Sequence, residues 1–194
     1  MMPRANPDMA VNSQLSKDPY LAASFSLGDR LMRLFWGVSY VLLFKLSPRP
    51  FHGWRAFLLR SFGAKLGEGC HIYPHAKIWA PWNLVCEDVV AVADDAIIYN
   101  PMPIVLGSHS TISQQAYLCG ATHDYNLRSF PLIAAPIRIG AYAWICARAT
   151  VQPGVHVAEG AVLGLGAVAT KNLEPWSINV GIPARKIKDR IRHE

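Results

Sequence analysis

The sequence predicts a mainly β fold, a parallel β-helix of stacked six-residue repeats that is preceded by helices and followed by a short helical tail. Three observations support this prediction. Aliphatic residues recur every six positions beyond residue 66, small residues follow most of them four positions later, and helical periodicity is confined to residues before 63. Of the 194 residues, 52% are hydrophobic and only 16% are charged, which is enough apolar material for the core of one domain.

The first 65 residues predict an arm and two helices. Residues 1–27 begin with a polar, proline-broken stretch that indicates a flexible arm and lacks the apolar centre of a secretory signal. Residues 28–65 hold an almost uniformly apolar helix, which Ser47-Pro48-Arg49-Pro50 ends, and a second short helix that ends at Gly63. The longest apolar stretch, 34–44, is shorter than the roughly 18 residues of a membrane-spanning helix. It suits either the open end of the β-helix or a membrane surface.

The repeats occupy residues 66–174. In the clearest run the aliphatic positions are Ile139, Ile145, Val151, Val157 and Leu163. Further runs start at Leu66, Cys86 and Leu106. A six-residue unit holds one short strand and a turn, so three units make a triangular coil whose aliphatic side chains point inward. About five such coils fit into this region once residues 124–136 are excluded.

Residues 124–136 interrupt the repeat directly after His123. They match no phase of the pattern, so we predict a loop that leaves the prism and returns at Ile137. Long loops on a regular scaffold often carry function, and a histidine can exchange a proton near neutral pH. His123 is therefore the strongest candidate for a catalytic residue.

The charge and the cysteines limit the partners that the chain can have. The net charge of +6 predicts an anionic partner, and the cationic residues are spread over the first 60 positions and the C-terminal tail. This distribution favours a phosphorylated cofactor or an anionic membrane over nucleic acid.

The four cysteines lack zinc-binding spacing, so we predict reduced, buried thiols in a cytoplasmic protein without a metal. They are Cys70, Cys86, Cys119 and Cys146.

Several segments resemble the hexapeptide-repeat acetyltransferases, in particular the branch involved in colanic acid and other exopolysaccharide biosynthesis. The resemblance runs from about residue 30 to the end and is most specific at Thr122-His123-Asp124-Tyr125 and Gly181-Ile182-Pro183-Ala184-Arg185. It implies a left-handed winding and a homotrimer. It also implies direct transfer of an acetyl group from acetyl-CoA to a glycan hydroxyl in the cytoplasm. Independently of the resemblance, the apolar N-terminal helix and its flanking cations leave peripheral contact with the inner membrane face open.

The resemblance also implies roles for particular residues. His123 corresponds to the general base. Asn100 corresponds to an asparagine that contacts the acceptor, although a turn role before Pro101 is equally open, and Asp124 would either orient His123 or the acceptor, or cap the loop. The positions that line the CoA groove between subunits are Trp144, Ala147, Leu165, Thr170 and Lys171. In the tail, residues 175–194, Arg185 and Lys188 would meet the CoA phosphates.

Four other interpretations compete with this one. A carbonic anhydrase on the same fold would need clustered zinc-binding histidines, and His109 and His123 are isolated in the sequence. A non-catalytic β-helix scaffold would be expected to lose the histidine loop or the cationic tail, and an N-acetyltransferase for an amino sugar often carries an additional nucleotide-binding domain. A nucleophilic Cys119 beside His123 is disfavoured because direct transfer needs no acyl-enzyme.

Overall fold

Five complete three-strand coils and part of a sixth form the body of the chain in this computed structural model, which describes residues 25–192. The architecture is a mainly β, left-handed parallel β-helix with helices at its N-terminal end. The partial sixth coil extends the five predicted ones. Most of the predicted N-terminal arm, residues 1–24, lies outside the described residues.

Three sheets form the sides of the prism, and all their strands are parallel except β19 at the edge of sheet B. Sheet A contains β1 (Lys65–Leu66), β4 (Leu84–Cys86), β7 (Ile104–Leu106), β12 (Ile137–Ile139) and β15 (His156–Val157). Sheet B contains β2 (His71–Ile72), β5 (Ala91–Val92), β8 (Thr111–Ile112), β13 (Trp144–Ile145), β16 (Val162–Leu163), β18 (Ser177–Val180) and β19 (Arg185–Asp189). Sheet C contains β3 (Lys77–Ile78), β6 (Ile97–Tyr99), β9 (Tyr117–Cys119), β14 (Thr150–Val151) and β17 (Val168–Ala169). A separate hairpin consists of β10 (Ala121–His123) and β11 (Leu132–Ala134).

The interior follows the six-residue repeat. The five aliphatic residues of the clearest run are at most 2% exposed, and the small residues four positions later are buried beside them. Equivalent positions stack from coil to coil, as in the pairing of Cys86 with Leu106 and of Leu106 with Ile139. The predicted repeat is thus confirmed as the spacing at which side chains enter one continuous core.

Glycine is required where two coils turn closely over each other. A Cβ atom built on Gly107 would lie 2.5 Å from the backbone nitrogen of Ala141 in the next coil, and one on Gly140 would lie 2.5 Å from that of Glu159. These distances leave no space for a side chain, so the backbone approach at this corner depends on glycine.

Two helices cover the open end of the first coil. Helix α1 (Leu27–Ser39) starts where the Ser26 hydroxyl accepts a hydrogen bond from the Asp29 amide, and it continues as a wider π-helical turn over Tyr40–Phe44. Helix α2 is His52–Ser61. The indole of Trp36 is buried and donates a 2.7 Å hydrogen bond to the carbonyl of Ile78, which ties α1 to the first coil.

Arg55 joins α2 to both neighbouring segments. Its side chain is fully buried and donates hydrogen bonds to the carbonyl oxygens of Ile72, Pro48 and Arg49 and to the hydroxyl of Ser47. Burial lowers the pKa of its guanidinium, because the charged form loses hydration. These bonds compensate the charge with carbonyl dipoles and hold the helical cap rigidly on the prism.

The predicted helical tail is wrong. Strand β19 instead pairs antiparallel with β18 at the top of sheet B. The chain turns back at Gly181, whose φ is +93°, and proline follows at position 183, so a helix cannot continue through this segment. The last strand of an open sheet also offers unpaired backbone groups, which β19 satisfies.

Candidate active site

The hairpin β10–β11 projects from the corner between sheets C and A, at the point where the repeat is interrupted. His123 is the last residue of β10 and pairs with Leu132. The amide of Ala135 donates a 3.0 Å hydrogen bond to the carbonyl of Gly120, and this bond closes the base of the hairpin. The hairpin therefore presents His123 on a short, hydrogen-bonded arm outside the prism.

The imidazole of His123 is held by Phe130. Its Nδ1 lies 2.8 Å from the carbonyl oxygen of Phe130, and the two rings stack with centroids 4.5 Å apart at an angle of 9°. A carbonyl oxygen can only accept, so Nδ1 carries the proton and donates it, which leaves Nε2 with a free lone pair. In this state Nε2 can accept a proton from a substrate.

Phe130 is a candidate site residue that sequence reasoning missed, and it is one by its contact with His123. Its φ is +45°, a left-handed conformation that is unusual for a residue with a side chain, and its amide donates to the carbonyl of Leu127. The contact with His123 depends on the direction of a backbone carbonyl, and the sequence carries no signal for that direction.

Asp124 shapes the loop. Its carboxylate accepts a 2.9 Å hydrogen bond from the amide of Asn126, and its own amide donates to the carbonyl of Pro131. This pattern is an Asx turn, in which an aspartate side chain replaces a backbone acceptor. Of the alternatives left open by the sequence, the geometry supports loop capping, and the group that orients His123 is Phe130.

Asn100 lies inside the prism and is fully buried. Its side-chain oxygen accepts from the amide of Ala80 at 2.9 Å, and its side-chain nitrogen donates to the carbonyl of the same residue at 2.7 Å. The carbonyls of Asn100 and Pro101 in turn accept from the side chain of Asn83. This arrangement supports the turn role of the two roles left open for Asn100.

Three of the residues expected in the CoA groove gather at the corner between sheets B and C. Ala147 and Leu165 occupy this corner in successive coils, where the amide of Gly166 donates to the carbonyl of Ala147 at 3.0 Å. The Trp144 indole reaches the same corner one coil lower and donates to the hydroxyl of Ser113 at 2.8 Å. Leu165 is 76% exposed, so the corner offers an uncovered apolar surface.

Of the basic candidates, Arg185 stands at the upper end of this corner, where it pairs with Val180, whereas Lys188 pairs with Ile178 toward the sheet A end of the same strand. Arg185 and Lys188 are exposed residues of β19, and neither forms a salt bridge within the described part of the chain, whereas Lys186 between them is paired with Glu174 and Asp189. Thr170 and Lys171 do not join the group, because they follow β17 at the corner between sheets C and A.

The candidate site is divided within one chain. The His123 hairpin leaves from the corner between sheets C and A, and the column with Ala147, Leu165 and Arg185 follows the corner between sheets B and C. The width of sheet C, about 10 Å for three residues of strand, separates the two corners. Within residues 25–192 no group of three or more His, Cys, Asp or Glu side chains could hold a metal ion.

Solved structures with the same fold were found, whereas no family model matches the chain. A hexapeptide-repeat acetyltransferase of Vibrio cholerae has a TM-score of 0.78 at 20% identity and covers 86% of this chain and 95% of its own. A galactoside acetyltransferase in complex with coenzyme A has a TM-score of 0.71 at 22% identity, with 85% of this chain and 84% of its own covered. At these identities the likeness establishes the class of fold, a β-helix of six-residue repeats.

The sequence comparison narrows this class. The chain is 39% identical over 163 residues to an Escherichia coli K12 protein. That protein is named the colanic acid biosynthesis acetyltransferase WcaF, a name that rests on an inferred role. The match covers 84% of this chain and 89% of that protein. The galactoside O-acetyltransferase of the same organism is 25% identical over 130 residues, which cover 64% of this chain and 59% of that protein. This chain belongs to the family of colanic acid biosynthesis acetyltransferases and is an acyltransferase.

Proposed function

We propose that this enzyme transfers an acetyl group from acetyl-CoA to a sugar hydroxyl of a polysaccharide precursor, with His123 as the general base. The observation that carries the proposal is the geometry of His123, whose Nδ1 is engaged by the Phe130 carbonyl while Nε2 has no hydrogen-bond partner among residues 25–192. An imidazole in this tautomer is ready to accept a proton without further rearrangement.

Acetyl-CoA supplies an acetyl group activated as a thioester when it is bound. His123 Nε2 accepts the proton of the sugar hydroxyl as the hydroxyl oxygen forms its bond to the acetyl carbon. The carbonyl of Phe130 stabilises the imidazolium through the Nδ1 hydrogen bond. His123 then returns the proton to the sulfur atom as the carbon–sulfur bond breaks, so no acyl-enzyme is required.

The corner between sheets B and C fits the shape and charge of CoA. Small residues such as Ala147 leave backbone amides and carbonyls accessible to a pantetheine arm, and exposed Leu165 and Trp144 add apolar surface. Arg185 at the end of the column, with Lys188 further along β19, can neutralise phosphates, because no carboxylate of the described residues pairs with them. The relative from Vibrio cholerae has been solved in complex with acetyl coenzyme A.

We infer that the active site is completed between copies in a homotrimer. The His123 hairpin and the candidate CoA column lie at opposite edges of sheet C in one chain, so a neighbouring copy can bring one next to the other. Cyclic assembly around a three-fold axis would make three equivalent sites. Light scattering should give three times the monomer mass, and a monomer with full activity at high dilution would contradict this inference.

The acceptor is expected to be a glycan. Tyr125 and Phe130 of the hairpin are 62% and 37% exposed, and aromatic side chains beside His123 offer flat surfaces on which a sugar ring can pack. The names of the relatives also refer to colanic acid and to a galactoside. An amino-sugar acceptor is the alternative, and a solved N-acyltransferase from Bacillus cereus shares the fold with a TM-score of 0.62.

The decisive experiment measures acetyl transfer to a panel of glycans and amino sugars by mass spectrometry. His123→Ala should lower kcat by about 10²–10⁴-fold while acetyl-CoA still binds. His156→Ala is the matched control, because His156 is an exposed histidine on sheet A. Near-normal turnover of His123→Ala at saturating acceptor would remove this residue from the role, and transfer confined to amines would replace the proposed acceptor.

A further inference from the structure

The N-terminal helices have two faces, and only one of them is used in the fold. Trp36, Tyr40 and Phe44 form the inner face and pack on the core. On the outer side five aliphatic and aromatic residues of α1 and its π-helical continuation, and one leucine shortly after them, are each more than half exposed. These residues, which we call the outer face, are Leu34, Phe35, Val38, Val41, Leu42 and Leu46.

Helix α2 extends the outer face with aromatic residues. The indole of Trp54 donates a 3.0 Å hydrogen bond to the carbonyl of Leu43 and its ring stacks with that of Phe57 at 5.8 Å. Phe51 and Phe57 are 53% and 57% exposed. A contiguous exposed apolar surface on a folded domain indicates an interaction site. A tryptophan at its border is typical of surfaces that meet the headgroup region of lipids.

The charges around the outer face identify the kind of partner. Residues 25–66 contain seven lysine or arginine residues and one acidic residue, Asp29, which is paired with Arg33 at 2.8 Å. Arg55 is buried, whereas Arg30, Lys45, Arg60 and Lys65 are exposed. Two copies of this face would bring cations against cations, so self-association is disfavoured. An anionic surface provides the complementary charge.

The attachment of the helices determines how they can meet that surface. The hydrogen bond of Trp36 to Ile78 and that of Arg55 to Ile72 hold the helices on the first coil. None of the helices within residues 25–192 is long and apolar enough to cross a membrane. A fixed amphipathic helix of this kind lies in the plane of a bilayer interface with its apolar side toward the lipid.

We propose that the outer face docks the enzyme on a bilayer that contains anionic lipids. This interaction goes beyond acetyl transfer and needs neither acetyl-CoA nor an acceptor. The docking helices also lie close to the candidate active site. Phe25, just before α1, packs against Ala121, Leu132 and Ala134 at the base of the His123 hairpin. The hairpin thus lies beside the start of the docking helix.

Vesicle co-sedimentation of the full-length protein tests the proposal. We expect sedimentation with vesicles of phosphatidylcholine and phosphatidylglycerol, release by added salt, and little sedimentation with pure phosphatidylcholine. Failure of the intact protein to bind the anionic vesicles would overturn the proposal whatever its enzymatic activity.

Two variants identify the surface. Leu34→Gln/Phe35→Gln/Leu42→Gln should weaken vesicle binding by roughly tenfold or more, and Arg30→Gln/Lys45→Gln should reduce its salt sensitivity. The matched control is Met102→Gln/Ile187→Gln/Ile191→Gln, which changes three exposed apolar residues elsewhere and should bind like the wild type. Circular dichroism and acetyl transfer to a soluble acceptor report whether each variant is folded.

Equal vesicle binding by the triple variant and the wild type would also contradict the proposal. A triple variant that changed the mass of the assembly in light scattering, without a change in vesicle binding, would assign the outer face to a second copy of the chain and would contradict it too. The single variant Leu46→Gln, at a side chain that is 73% exposed, provides a milder substitution with the same expected direction.

Discussion

The side chain of Asn100 and the backbone of Ala80 form two hydrogen bonds with each other across successive coils. The side-chain amide of Asn100 thereby gives the backbone N–H of Ala80 its acceptor and adds a second donor to the Ala80 carbonyl, which also accepts from the amide of Asn83. Both residues are fully buried, so no water can replace these bonds.

Asn100→Ala is accordingly expected to lower the free energy of unfolding by about 1–3 kcal/mol, because it leaves the buried amide of Ala80 unpaired and removes one of the two donors to the Ala80 carbonyl. The KM for the acceptor should change little in the fraction that is folded. Denaturant unfolding and steady-state kinetics measure the two effects, with Asn126→Ala in the exposed loop as the control. An unchanged stability together with a raised KM would return Asn100 to the acceptor site.

Phe130→Ala should lower kcat about tenfold and leave the KM for acetyl-CoA unchanged. The substitution retains the backbone carbonyl but removes the ring that stacks on His123, so the imidazole loses part of its fixed orientation. Leu127→Ala is the control on the same hairpin, since its exposed side chain does not contact His123 in this way. Equal losses in both variants would indicate a general disturbance of the hairpin.

Cys119→Ala should retain turnover within about threefold, because direct transfer uses no thiol nucleophile. The Cys119 thiol donates to the carbonyl of Ala121 at 3.1 Å, which gives it a structural role at the start of the hairpin. Loss of activity together with a covalent acetyl adduct in the wild type, detected by mass spectrometry, would support the cysteine mechanism instead.

Alkylation should spare the buried cysteines near neutral pH. Burial raises the pKa of the Cys70 and Cys146 thiols, because the thiolate would lose hydration. A raised pKa keeps a thiol protonated as the pH increases, so labelling by iodoacetamide should begin only in alkaline solution. Mass mapping of the labelled peptides between neutral and alkaline pH measures the pH at which each cysteine begins to react. Rapid labelling of Cys146 at neutral pH would contradict the prediction.

Gly107→Ala should destabilise the fold by about 1–3 kcal/mol, since its Cβ would overlap the backbone of the next coil. Gly37→Ala is the matched control, because a Cβ at that helical position meets no atom within 4 Å. The control should gain about 0.5–1 kcal/mol through lower entropy of the unfolded chain. The denaturant midpoint of each variant is compared with that of the wild type. A shift to higher denaturant for both variants would show that crowding at Gly107 is tolerated.

The interior of the β-helix could be predicted from the sequence because its cause is local. A strand with a turn repeats after six residues, so the position of Ile145 or Val151 fixes which side chain points inward. The interruption after His123 was equally visible, since a segment without the pattern cannot contribute a strand to the coils. These two features sufficed to locate the His123 hairpin.

Other features depend on contacts that no local pattern records. The pairing of β19 with β18 arises from a free sheet edge, and the orientation of His123 arises from a backbone carbonyl seven residues away. The burial of Asn100 depends on Ala80 in the preceding coil. In each case the partner is distant in sequence or contributes only backbone atoms, so residue types alone carry no information about it.

The register of the β-helix continues without disturbance across the hairpin, since β12 pairs with β7 through Ile137 and Ile104. The bond between Ala135 and Gly120 closes the hairpin at its base, and the coils above and below are unaffected by its length. Insertions and deletions at the tip can therefore accumulate during evolution at little cost to folding. A lineage of such enzymes could acquire new acceptors by altering one segment while inheriting the rest of the scaffold unchanged.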